Sequence, residues 1–138
     1  MLEPIISNVR TLESLKEGKV VSVIPEGISM LPFIRGNKVY VYKKDRVEVG
    51  DIVLVKYGGN YIMHRVYSIN GTEVTLMGDG HLQGTERVDV SEILGTVIEI
   101  ITSKGRHRKP GKAWLWRHLL PIRKYLLKID RKWHKLFG

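Results

Sequence analysis

Apolar residues fall in short alternating or β-branched runs over most of this chain, and recur at helical spacing only near its two ends. In residues 7–17 (SNVRTLESLKE), Val9, Leu12 and Leu15 share one helical face; Ser7 suits the N-cap and Gly18 is a stop signal. Residues 19–24 (KVVSVI) predict a strand, ended by a turn at Pro25 and Gly27. Further runs follow at 39–42 (VYVY), 51–57 (DIVLVKY), 61–69 (YIMHRVYSI), 73–77 (EVTLM) and 93–101 (ILGTVIEII). They are separated by Gly36-Asn37, Val49-Gly50-Asp51, Gly58-Gly59-Asn60, Asn70-Gly71 and Gly78-Asp79-Gly80, of which the Gly-Gly-Asn and Asn-Gly steps are hairpin signals. Strands this short and evenly spaced predict a mainly β domain: a small, coiled, partly closed barrel-like structure, with a short N-terminal helix.

The pattern changes after residue 102. Residues 103–112 (SKGRHRKPGK) read as a polar, basic linker. In 113–138, Ile122, Tyr125, Leu126, Ile129, Trp133, Leu136 and Phe137 return at helical spacing, with Arg123, Lys124, Lys128, Arg131, Lys132 and Lys135 on the other faces. Basic amphipathic helices are expected there, divided or kinked at Pro121. The organisation is therefore a β domain over 1–102, a linker over 103–112 and a helical tail over 113–138.

Charge sharpens that division. Residues 1–103 carry 11 Lys and Arg against 13 Asp and Glu, whereas 104–138 carry 12 against Asp130 alone. The net charge of +9 thus belongs to the linker and tail together. Such asymmetry points to a polyanionic surface, and the Trp, Leu and Phe of the tail favour a membrane interface. Packing of the tail on the β domain is an equal reading. Nucleic acid is the weaker one, since no DNA-reading motif accompanies the charge. No stretch approaches 18 uncharged apolar residues, and Glu3, Arg10, Glu13 and Lys16 interrupt any N-terminal apolar segment, so neither a membrane span nor a signal peptide is expected. With no cysteine and five scattered histidines, neither disulfides nor a metal or other cofactor are expected.

Candidate chemistry lies in Gly27-Ile28-Ser29-Met30-Leu31-Pro32 and Met63-His64-Arg65-Val66. Ser29, between a glycine approach and a proline, suits a nucleophile on a tight turn, and an activated serine needs a base such as His64. Taken singly, Ser29 reads as a turn serine and His64 as a half-buried strand histidine.

The order of boxes changes that balance. GISMLP, GNKVYV, VGDIVLVKY, YIMHRV and MGDG, spread between Glu26 and Gly95, resemble the signal-peptidase and phage-repressor superfamily of serine peptidases. Histidine at position 64, where the bacterial signal peptidases have lysine, makes the chain most similar to the histidine-type, endoplasmic-reticulum-like signal peptidases. The resemblance implies Ser29 as nucleophile and His64 as base, with the Ser29 N–H donating to the oxyanion. Gly27 would let the substrate backbone approach, and Met30 would shape the site. In the family an aspartate several residues beyond the Gly-Asp box orients the histidine. That position falls near Gly84 or Thr85 here, which leaves Asp79, Glu86 or a Ser/His dyad open. Asp51 reads as a turn residue, and Arg65, facing away from His64 on a strand, as structural.

The resulting expectation is a serine endopeptidase cutting signal- or leader-type peptides after small residues, with the substrate bound extended. It would sit at the cytoplasmic face of the membrane, held peripherally by 113–138. The alternative class is a weak or inactive peptidase-like domain serving as a peptide-binding or membrane-recruited adaptor.

Overall fold

Four consecutive apolar residues, Ile52 to Val55, cannot all face one side of a strand, so a strand built from them must be covered on both faces. The computed structural model places them in that way, all four buried. It describes residues 9–25, 30, 34, 37–78, 85–102 and 104–112; the expected N-cap Ser7 and the tail 113–138 lie outside the described residues. Helix α1 (Val9–Lys16) precedes strands β1 (Val21–Val23), β2 (Val39–Tyr42), β3 (Ile52–Tyr57), β4 (Asn60–Asn70), β5 (Glu73–Met77), β6 (Glu86–Asp89), β7 (Ile93–Ile101) and β8 (His107–Arg108). All pairings are antiparallel, in one sheet of order β1-β2-β7-β3-β4-β5-β6. β8 continues the edge of β7 beyond β3, pairing Ile100 with Arg108 and Ile101 with His107.

The mainly β expectation holds, but the partial barrel closure does not. Among the described residues the outer strands β1 and β6 do not pair with each other. At three and four residues they offer too little edge to complete a staggered seam. The hairpin signals are realised. Tyr57 pairs with Asn60 across Gly58-Gly59, whose φ values of 58° and 85° fit a two-residue turn that needs both central residues left-handed. Strands β6 and β8 have no counterpart in the hydrophobic pattern, because Glu86–Asp89 offers only Val88 to the core and His107–Arg108 nothing.

Each face of the sheet carries its own core. Ile52, Leu54 and Met63 join Val23, Met30, Ile34, Val39, Val41, Val97 and Ile100 on one side; Val53, Val55 and Val66 join Val74, Leu76, Val88 and Ile93 on the other. Helix α1 covers the first face through Leu15, which is 1 % exposed. Its end is closed by Gly18 at φ 82°, with Lys19 N donating to Ser14 O and Gly18 N to Leu15 O. No helix among the described residues is long and apolar enough to cross a membrane.

Gly95 of β7 lies where α1 and β2 meet the sheet. A Cβ there would stand 2.5 Å from Val41 Cγ1 and 3.3 Å from Leu15 Cδ2. Val41 is β-branched and buried, so it has little room to turn away. Gly95→Ala is expected to destabilise the fold by about 1–3 kcal/mol through overpacking, read as a lower denaturation midpoint in urea.

Candidate active site

A strand histidine two residues from a buried valine shares that valine's face, and this periodicity positions His64. Val66 of β4 stands opposite Leu76 of β5, and Leu76 stands opposite Glu86 of β6. His64 and Glu86 therefore project from the same face of the sheet, on a diagonal across β5. They meet: His64 Nδ1 donates to Glu86 Oε1 at 2.6 Å. His64 is 4 % exposed, and the Glu86 side chain is 16 % exposed. A proton held on Nδ1 leaves the Nε2 lone pair as the acceptor site of the ring.

Glu86 is held in place by its pairing with Leu76, and the far end of β6 is fixed by its own turn. Asp89 accepts hydrogen bonds from Ser91 N and Oγ, and Glu92 Oε1 accepts from Asp89 N, a capping box that turns β6 into β7. These hydrogen bonds from Ser91 also hold the Asp89 carboxyl below its ordinary value.

Of the other expected site residues, Ser29, Gly27 and Asp79 lie outside the described residues. Met30, next to Ser29, is 3 % exposed and belongs to the same core cluster as Met63, the neighbour of His64. Its carbonyl accepts from Ile34 N at 3.0 Å. Its side chain is thus a core residue.

Arg65, on the opposite face of β4, and Asp51, before β3, form a second polar arrangement, whose residues read in the sequence as a structural arginine and a turn. Arg65 is 2 % exposed, and its Nη1 donates to Gly50 O at 2.8 Å and to Gly111 O at 3.0 Å. Asp51, 7 % exposed, accepts from Lys44 Nζ at 2.9 Å, Glu48 N at 2.9 Å and Lys112 Nζ at 2.6 Å. Backbone bonds from Gly50 N to Val66 O and from Val66 N to Asp51 O tie the same corner to β4. The segment expected to be a linker therefore contains β8 and a strap, residues 109–112, fastened beside the start of β3. The Gly50-Asp51 box was the available signal: glycine at φ 96° admits Lys112, whose Cβ would lie 2.8 Å from a side chain at position 50.

Burial alone would raise the Asp51 carboxyl, but hydrogen bonds from Lys112, Glu48 N and Lys44 outweigh it and hold the group below 3.8. Because the folded value lies below the unfolded one, the stabilisation is present above the unfolded value and is lost as pH falls through the folded one. Asp51→Asn is expected to cost roughly 1–3 kcal/mol near neutral pH. Urea denaturation should show variant and wild type converging as the solution is taken below 3.8.

No protein-family model matches this chain, and no curated protein matches it, so a functional reading stands on the sequence boxes and on the geometry around His64.

Proposed function

We propose that this protein is a serine endopeptidase in which Ser29 is the nucleophile and His64, oriented by Glu86, is the general base. The observation that carries the reading is the buried His64–Glu86 pair, made by the histidine at the basic position of the YIMHRV box. A carboxylate on Nδ1 fixes the tautomer that leaves Nε2 to take a proton, and it stabilises the imidazolium formed when the proton arrives. Glu86 thus takes the orienting role for which Asp79 was the first sequence candidate.

In this mechanism Ser29 Oγ attacks the substrate carbonyl carbon while its proton passes to His64 Nε2. The Ser29 N–H donates to the oxyanion, with Gly27 admitting the substrate backbone. Collapse of the tetrahedral intermediate breaks the C–N bond, and the amine leaves with the proton from His64. Water, deprotonated by the same imidazole, then hydrolyses the acyl-enzyme. No cofactor enters any step. The substrate class is an extended signal- or leader-type peptide cut after a small residue, as the family resemblance implies. The basic residues of 113–138 favour peripheral attachment at an anionic membrane face, which the cytoplasmic leaflet supplies.

The test is labelling by a serine-directed acylating probe, with a known signal peptidase run alongside. Wild type should label, and Ser29→Ala and His64→Ala should not. Glu86→Gln, which places an amide against Nδ1, should slow labelling by roughly 10²–10⁴. An unlabelled wild type beside a labelled control would replace this reading with the adaptor class. Full labelling of Glu86→Gln would remove Glu86 from the machinery and leave a Ser/His dyad.

A further inference from the structure

Residues 109–112 have no large apolar side chain with which to hold themselves to the domain. The strap reads Lys-Pro-Gly-Lys, and with Lys44, Asp51, Thr96, Val97 and Ile98 it lines a cavity of about 290 Å3. Its seat is polar: Gly111 O on the Arg65 guanidinium, and Lys112 Nζ on the Asp51 carboxylate. Lys112 also approaches Glu48, at 3.7 Å.

Arg65 cannot lose the Gly111 carbonyl without consequence. A buried guanidinium N–H left with fewer acceptors must either stay poorly satisfied or move toward other acceptors. Moving Arg65 moves β4, because Arg65 is bonded in sequence to His64 and projects from the opposite face. Val66, on the other side of Arg65, is itself held by Asp51 O and Gly50 N, the same corner to which the strap is fastened. Seated, the strap therefore fixes the segment 64–66 from one face while Glu86 receives His64 on the other.

We infer that the strap 109–112 is a positioning element for His64, acting through Arg65 and Asp51, so that whatever engages the chain beyond Lys112 is coupled to the candidate base. The coupling rests on geometry alone. Its meaning for catalysis rests on the reading proposed above.

Two strap variants leave Arg65, His64 and Glu86 untouched. Gly111 has φ 64° and open space where a Cβ would stand, so Gly111→Val strains the strap backbone without a clash. Lys112→Met removes the ammonium from Asp51 and keeps the stem. Gly18→Val is the control, likewise at a left-handed position (φ 82°) with open space, at the end of α1. The primary readout, in the full-length protein, is the downfield NMR resonance of the His64 Nδ1 proton shared with Glu86. Amide hydrogen exchange at positions 109, 111 and 112 reports loosening of the strap, and thermal melts confirm folding.

Both strap variants should speed amide exchange in the strap and shift or broaden the His64 resonance, and Gly18→Val should do neither. If the wild type labels, both should also slow Ser29 labelling by roughly 10–100-fold, the scale of a small misplacement of a catalytic group. An unchanged His64 resonance in variants whose strap exchanges faster would overturn the inference, as would strap exchange no faster than in wild type. A resonance shift equal to that of Gly18→Val would overturn it too. A specific shift in a protein that never labels would uphold the coupling and sink the nucleophile reading instead.

Discussion

Two ionisable side chains, His64 and Arg65, stand side by side on the most buried stretch of β4, and the sheet has to satisfy both. Neighbours on a strand project to opposite faces, so one partner set cannot serve the two. On one face Glu86 accepts from His64; on the other the carbonyls of Gly50 and Gly111 accept from Arg65. An apolar pair at these positions would let the two cores close over β4 as they close over β3. Keeping polar groups there costs desolvation, which hydrogen bonding must offset. The order of strands, the turn that ends β6 and the strap after β8 are the means by which those partners arrive.

Much of the strand framework was legible because the chain marks its strands and turns plainly. VYVY over 39–42, EVTLM over 73–77 and ILGTVIEII over 93–101 match β2, β5 and β7 residue for residue. The central run was legible as a strand, and its lack of alternation becomes intelligible once both faces carry a core. The short elements were not legible. ERVD and HR are strands only because β5 and β7 present unpaired edges to them, which is information held by the fold and not by the segment. Closure was over-read for a related reason: strand spacing fixes how many strands there are, whereas a seam depends on which edges are long enough to meet.

For the candidate site, sequence located the histidine and offered two carboxylates for its partner. Asp79 lies in the box, but spacing along a chain says little about which carboxylate a sheet diagonal will deliver. Glu86 gains its position from strand register: two residues along β4 and two strands across, on the same face. Register depends on the β4–β5 bulge between Val66 and Ser68, which no local pattern announces. The contact of Asp51 with Lys112 escaped for the opposite reason. Gly-Asp before a strand is an ordinary turn signal, and the partners that bury Asp51 come from 61 residues away at Lys112.

Charge placement decides how firmly the basic segment is held to the sheet. Its first residues meet acids of the domain at two places. At Glu99, His107 and Lys109 make an exposed set, with Tyr40 beside the His107 ring. Exposed pairs of that kind contribute little, because water and salt screen them. At Asp51 the acceptor is buried, and the bonds from Lys112 and Lys44 depress its carboxyl value against the effect of burial. Breaking a buried contact leaves an uncompensated charge, so the holding strength concentrates at 111–112, next to Arg65. A force applied through the residues beyond 112 would therefore reach the sheet first where Arg65 and Asp51 meet β4, one residue from the candidate base.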